Sequence, residues 1–222
     1  MDLSSEQARE QLQTAGRYMV QHELAWGNAG NLSARVAADC YVITASGTRL
    51  GELSEGDFAE CGIGEPATRA PRPSKERPMH EAIYATRPEI TAVLHASPFY
   101  TTLIACSEAV VPSNWFVEAM YYLESIARVP YSHPGSMELG AGVREQAGSV
   151  NILLLENHGV LVYDTSVQEA LMGMHTLEMV CRMWVTAQGT GIGMRGLAPV
   201  VVDDFLQRSG YKPRRQWPSP RD

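Results

Sequence analysis

Cysteine is scarce in this sequence: four in 222 residues, Cys40, Cys61, Cys106 and Cys181. They are widely scattered and form no Cys-x-x-Cys pair, which argues against a zinc ribbon or a disulfide framework and favours buried reduced thiols. Positive charge is not in surplus. The 18 Lys and Arg are outnumbered by 25 Asp and Glu, for a formal net charge of -7. That balance disfavours nucleic acid as a partner but leaves room for an anionic substrate held by local donors. No apolar run approaches the roughly 20 residues that span a bilayer. The start, Met1-Asp2-Leu3-Ser4-Ser5-Glu6, lacks the basic and apolar pattern of a secretion signal. Internal repeats are missing as well. The expectation is a cytoplasmic enzyme with a small-molecule substrate, and with neither membrane nor nucleic acid as a partner.

What is present fits one domain. The chain is 45% hydrophobic and 19% charged, enough to bury a sizeable core, and no linker divides it. The expected domain covers residues 1–210, and 211–222, with Lys212, Arg214 and Arg215, reads as an extended tail. Ser4 or Ser5 caps a helix over about 6–22, with Ala8, Leu12, Ala15, Tyr18 and Met19 at helical spacing. Residues 32–36 and 41–44 read as paired strands. Pro71, Pro73 and Pro78 lead into a helix over about 79–86, and Pro88 blocks its continuation. A strand at 90–95 and a helix at about 99–106 follow, while 117–123 is open between strand and helix. Residues 150–155 and 160–163 form a hairpin with His158 in its turn. Asp164-Thr165-Ser166 caps the longest helix, about 167–188. Strands alternate with helices and hairpins, so the class is α/β with a mixed or largely antiparallel sheet.

One carboxylate and two histidines stand out. Glu76 lies in Ser74-Lys75-Glu76-Arg77-Pro78, at a helix entrance. His95 ends an apolar strand, where an unpaired imidazole would be costly. His158 lies in Glu156-Asn157-His158-Gly159 between two apolar strands. A carboxylate beside imidazoles can hold a divalent metal next to a general base, which suits chemistry through an enolate. The small-residue turns at Asn28, Gly30 and Asn31 and at Ser46 and Gly47, with Ser74 and Lys75, offer donors to a phosphate or carboxylate. Each has a plainer reading: a cap at Glu76, a structural hydrogen-bonding residue at His80, an ordinary turn around the glycines.

The joint order of these segments resembles the class II aldolase and adducin-head superfamily. The resemblance rests on residues 27–33, 44–47, 73–84, 87–95, 130–135 and 154–162. It implies a three-layer αβα sandwich around a mostly antiparallel nine-stranded sheet, and a homotetramer with active sites at subunit interfaces. It also implies a divalent metal, zinc before manganese or iron, on His95 and His158, with Glu76 as acid/base. Asn28, Gly30, Asn31, Ser46, Gly47, Ser74 and Lys75 would hold the phosphate or carboxylate. Two departures follow. Ser97 stands where the family has a third histidine ligand, and a neutral hydroxyl is a poor substitute; His133 is a candidate replacement. Phe116 aligns with the family's acid tyrosine, leaving Tyr121 or Tyr122 to serve. The implied activity is aldolase-type cleavage of a carbon–carbon bond in a small phosphorylated or acidic hydroxy-carbonyl substrate. The alternatives are a decarboxylase of a hydroxy-aromatic or sugar acid, and a non-catalytic adducin-like scaffold.

Overall fold

The computed structural model describes residues 3–67 and 70–215. The fold follows from two alternating apolar faces on one sheet. Strands β1 (Asn31–Ala37), β2 (Cys40–Thr44), β3 (Phe58–Gly62), β4 (Ala92–Ala96), β5 (Ile126–Val129), β6 (Ile152–Leu155) and β7 (Gly159–Asp164) lie in the order β3-β2-β1-β4-β7-β6-β5. Leu32, Ala34, Leu94, Leu154 and Val162 face one way; Ile43, Val93, Leu153, Leu161 and Tyr163 face the other. Helices α1 (Ser5–Gln21), α3 (Phe99–Ala105), α4 (Val117–Tyr122) and α6 (Val167–Thr190) bury their apolar residues on the first face. Phe205 and Leu206 of α7 (Pro199–Arg208) pack there too. Helices α2 (Arg77–Thr86) and α5 (Met137–Gln146) cover the second. The result is an α/β fold with a single mixed sheet.

Two details of the expected sheet are corrected. Among the described residues it has seven strands, not nine. It is also not purely antiparallel, because β5 runs parallel to β6, with Ile126 opposite Ile152 and Val129 opposite Leu155. The parallel pair exists because the chain crosses from β5 to β6 through helix α5, as a parallel connection requires.

Local chemistry accounts for most boundaries. Ser4 and Gln7 form a reciprocal capping box at α1. Ser136 and Ser166 cap α5 and α6, and the undecided segment is helix α4. The hairpin β6–β7 pairs Leu155 with Gly159, and so places Glu156, Asn157 and His158 in its turn. Of the expected tail, residues 216–222 lie outside the described residues. Lys212 pairs with Glu169, Arg214 with Glu124, and Arg215 with Asp164, so residues 212–215 lie against the ends of α4, β7 and α6.

Candidate functional site

Three elements meet at the second sheet face. Glu76 is the residue at the entrance of α2, and Pro78 is the second residue of that helix, where a missing N–H costs no helical bond. β1 runs antiparallel to β4 with Asn31 opposite His95, and β4 pairs with β7 so that His95 lies opposite Leu161. The β6–β7 turn then carries His158 over the end of β4. Its backbone is tight: Asn157 has φ 53°, and the His158 N–H donates to the Leu155 carbonyl at 3.1 Å.

The three side chains converge. His158 Nε2 lies 3.1 Å from Glu76 Oε1, and His95 Nε2 lies 3.4 Å from Glu76 Oε2. The two imidazole centroids are 4.8 Å apart. Glu76 is 7% exposed and His95 2%, while the His158 side chain, 12% exposed, lies at the solvent side of the cluster. Asn31 Nδ2 donates to Glu76 Oε2 at 2.7 Å. Burial alone pushes the Glu76 carboxyl up, but His158, His95 and Asn31 outweigh it and hold it at about 2. The approach of His158 to Oε1 is not aligned as a hydrogen bond, and Oε1 is buried without a partner.

The donor set fits a divalent cation. His95 Nδ1 lies 3.0 Å from the Val160 carbonyl. A carbonyl only accepts, so Nδ1 carries a proton, and in the neutral form of the ring Nε2 presents a lone pair. Burial pushes His95 below its ordinary value, with Glu76 opposing. A bare nitrogen and an anionic oxygen at 3.4 Å then face each other with no proton between them, which a cation reconciles. The ligand atoms of Glu76, His95 and His158 all lie within 4.8 Å of one another, and no other such cluster occurs among the described residues.

Ser97 donates its hydroxyl proton to the His158 carbonyl at 3.0 Å, and so braces the turn that presents His158. His133 is exposed, with Nδ1 3.2 Å from Tyr131 OH, and is not part of the cluster. Tyr121 OH donates to the Pro213 carbonyl and Tyr122 OH to Glu169. Phe116 packs beside them against the first-face core, so neither hydroxyl is free to serve the Glu76 cluster.

The candidate anion-binding turns fall into two groups. Gly30 (φ 96°) leads into Asn31 beside Glu76, and a Cβ at Gly30 would lie 2.6 Å from the His95 carbonyl. The Ser46 N–H donates to the Arg72 carbonyl at 2.9 Å and the Ser74 N–H to the Thr44 carbonyl at 3.0 Å, which brings Ser46 and Gly47 beside Ser74 and Lys75. Ser74 Oγ in turn accepts the Glu76 N–H at 3.3 Å. Next to them lies a cavity of about 490 Å³ lined by Arg72, Ser74, Lys75 and Arg77. Asn28 is exposed in its turn. Sequence reasoning missed Ser33 and Tyr84, which are bonded to the His80 side of the site. The available signal was the spacing of Glu76, His80 and Tyr84, four residues apart on one helix face.

Known proteins resemble this chain over most of its length. The 3-oxo-tetronate 4-phosphate decarboxylase of Haemophilus influenzae is 30% identical over 212 residues, covering 93% of this chain and 98% of that one. The L-fuculose phosphate aldolase of Escherichia coli is 26% identical over 180 residues, covering 81% of each. The crystal structure of YgbL from Klebsiella pneumoniae, titled a putative aldolase/epimerase/decarboxylase, superposes with a TM-score of 0.82 at 27% identity, covering 91% of this chain and 99% of that one. The model of the Class II Aldolase and Adducin N-terminal domain matches residues 10–185. The ordered glutamate and histidine motifs, the mixed sheet that assembles them and this match over most of the chain agree: the protein belongs to the class II aldolase and adducin N-terminal domain family.

Proposed function

We propose that the protein is a carbon–carbon lyase that decarboxylates a small phosphorylated 3-oxo acid bearing a neighbouring hydroxyl. The observation that carries this reading is the buried Glu76 carboxylate, whose two oxygens lie 3.1 and 3.4 Å from the imidazole nitrogens of His158 and His95. His95 and His158 would hold the divalent metal, zinc before manganese or iron, with the Glu76 carboxylate beside it. When bound, that metal supplies the positive charge that stabilises an enediolate.

The chain's own residues do the rest. Gly30, Asn31, Ser46, Gly47, Ser74 and Lys75 hold the phosphate end, with Asn28 at the rim. Held at about 2, Glu76 is a carboxylate at neutral pH, suited to carrying a proton briefly rather than keeping it. The bond between the carboxylate carbon and its neighbour breaks, carbon dioxide leaves, and the electron pair stays on the neighbouring carbon and carbonyl. Glu76 then relays a solvent proton to that carbon. Burial of His95 and Glu76 keeps stray water from the reacting carbon.

Two observations favour decarboxylation over aldol cleavage. Aldol cleavage needs a group to take the proton of the hydroxyl on the departing half, and Tyr121 and Tyr122 are bonded elsewhere. Carbon dioxide departs without that help. The relative named as a decarboxylase is also matched over nearly its whole length, and the L-fuculose phosphate aldolase over less. Aldolase activity is the second reading, supported by that same aldolase likeness. A scaffold role has less support, because Glu76, His95 and His158 are still arranged as ligands.

The test is to supply a 3-oxo acid phosphate and measure carbon dioxide, and separately to supply a ketose 1-phosphate and measure aldehyde. Carbon dioxide release that disappears in His158→Ala supports the reading. Aldehyde release alone selects the second reading, and neither product from metal-loaded protein refutes both.

A further inference from the structure

A line of buried polar groups leads from the second-face core to Glu76. Tyr84 OH lies 2.8 Å from Ser33 Oγ, which lies 2.6 Å from His80 Nδ1. His80 Nε2 lies 2.5 Å from Asn31 Oδ1, and Asn31 Nδ2 lies 2.7 Å from Glu76 Oε2. Ser33 and His80 are fully buried, Tyr84 and Asn31 nearly so. Proton relay does not need these groups, and buried polar side chains are costly unless they are satisfied.

With His80 neutral and Glu76 ionised, one arrangement of protons satisfies every member. An ionised carboxylate only accepts, so the Asn31 amide nitrogen faces Glu76 and its oxygen faces His80. His80 must then carry its proton on Nε2, which leaves Nδ1 to accept from Ser33. Ser33 has given its one hydrogen, so it accepts from Tyr84. The reverse order requires a protonated Glu76.

We propose that Asn31, His80, Ser33 and Tyr84 are positioning residues: a one-way chain of donors that fixes Glu76 through Oε2 and reserves Oε1 to carry the proton. The inference rests on the reading of Glu76 as the proton relay. It explains why Oε2 is tethered to Asn31 at 2.7 Å while Oε1, 3.1 Å from His158 Nε2, makes no aligned hydrogen bond. It also separates the roles of the two histidines flanking Glu76 from that of His80, whose ring nitrogens are both committed within the chain.

The first measurement needs no variant. Nitrogen-15 spectra of zinc-loaded native protein report which ring nitrogen of His80 is protonated, and the expected signal is Nε2–H. The second compares His80→Gln, which keeps a donor toward Asn31, with His80→Leu, which does not. The bond lost is the one between the neutral His80 and Asn31 side chains, worth about 0.5–1.5 kcal/mol, so His80→Leu should lower kcat by roughly 2- to 10-fold with KM little changed. His80→Gln should recover most of that loss. An Nδ1–H tautomer in active protein overturns the chain. So does equal kcat in both variants, whether both match the native protein or both fall alike. Native protein with the Nε2–H signal but no carbon–carbon cleavage overturns the reading of Glu76, and the positioning role with it.

Discussion

Replacing Gly30 with alanine tests how closely β1 and β4 are fitted around the site. Gly30 has φ 96°, and a Cβ there would lie 2.6 Å from the His95 carbonyl and 3.2 Å from Leu50 Cδ1. Both effects are unfavourable. A left-handed backbone costs a non-glycine residue about 1–2 kcal/mol, and forcing a methyl into a filled space costs about 1–3 kcal/mol more. The sum is about 2–5 kcal/mol, or a drop in melting temperature of about 4–20 °C for a domain of this size. Gly47 supplies the control, because its φ is 86° but nothing lies within 4 Å of its added Cβ. Gly47→Ala should therefore lose only the backbone share, about 2–8 °C. Differential scanning fluorimetry of the two metal-free variants reads the difference. Gly30→Ala should also bind zinc more weakly, since the backbone that must yield is that of His95. Equal melting temperatures with unchanged zinc affinity would refute the claim that this close approach sets the ligand geometry.

The other expectations concern the carboxylate, the bracing serine and the C-terminal contacts. Glu76→Gln should lower kcat by about 10²–10⁴-fold while plasma emission analysis still finds metal; full activity would refute the relay role. The same variant addresses pH. A carboxyl held at about 2 rather than 4.5 stabilises the folded state above pH 4.5, and this contribution is lost as pH falls toward 2. Acid unfolding of metal-free native protein should therefore be steeper across that window than unfolding of Glu76→Gln, and parallel curves would contradict the depressed carboxyl. Ser97→Ala removes one hydrogen bond to the His158 carbonyl, worth about 1 kcal/mol, and should weaken zinc binding less than about tenfold; His158→Ala should abolish it. Equal losses in calorimetric titration would make Ser97 a ligand rather than a brace. Arg215→Ala leaves Asp164 without its buried ionic partner, at a cost of about 3–5 kcal/mol. An unchanged melting temperature would show that the pair adds nothing.

Periodicity made the long or sharply bounded elements legible. Helices α1 and α6 carry apolar residues at helical spacing behind serine caps, and hairpin β6–β7 is two apolar runs around a short turn. The missed elements break the same rules for reasons that lie in tertiary packing. Helix α5 contains Gly140 and Gly142, poor helix formers. A Cβ at Gly140 would lie 3.0 Å from Pro78 and one at Gly142 2.9 Å from Val129, so the glycines permit close contact with α2 and β5. Strand β3 includes Glu60 and Gly62, and β5 is only four residues long, with Arg128 inside it. Segments 58–62 and 126–129 are strands because their neighbours offer an open edge. At the site, the position of Glu76 beside the histidines could be anticipated from motif order. The bonds from Asn31 through His80 to Tyr84 could not, because they depend on the register of β1 against β4 and on how α2 lies across them.

The entrance of α2 has a consequence for how this region can vary. Glu76 makes no side-chain cap to its own helix, since its oxygens are turned toward Asn31 and the histidines. A missing cap usually weakens a helix by about 1 kcal/mol. Pro78 softens that loss by contributing no amide hydrogen, and the Arg77 N–H finds the Ser74 carbonyl at 3.1 Å. The serine and the proline on either side of the glutamate thus keep the helix intact while its first carboxylate is used elsewhere. Changing either of them should loosen the acid without touching it, so tolerance to substitution ought to be narrower across residues 74–78 than their modest side chains suggest.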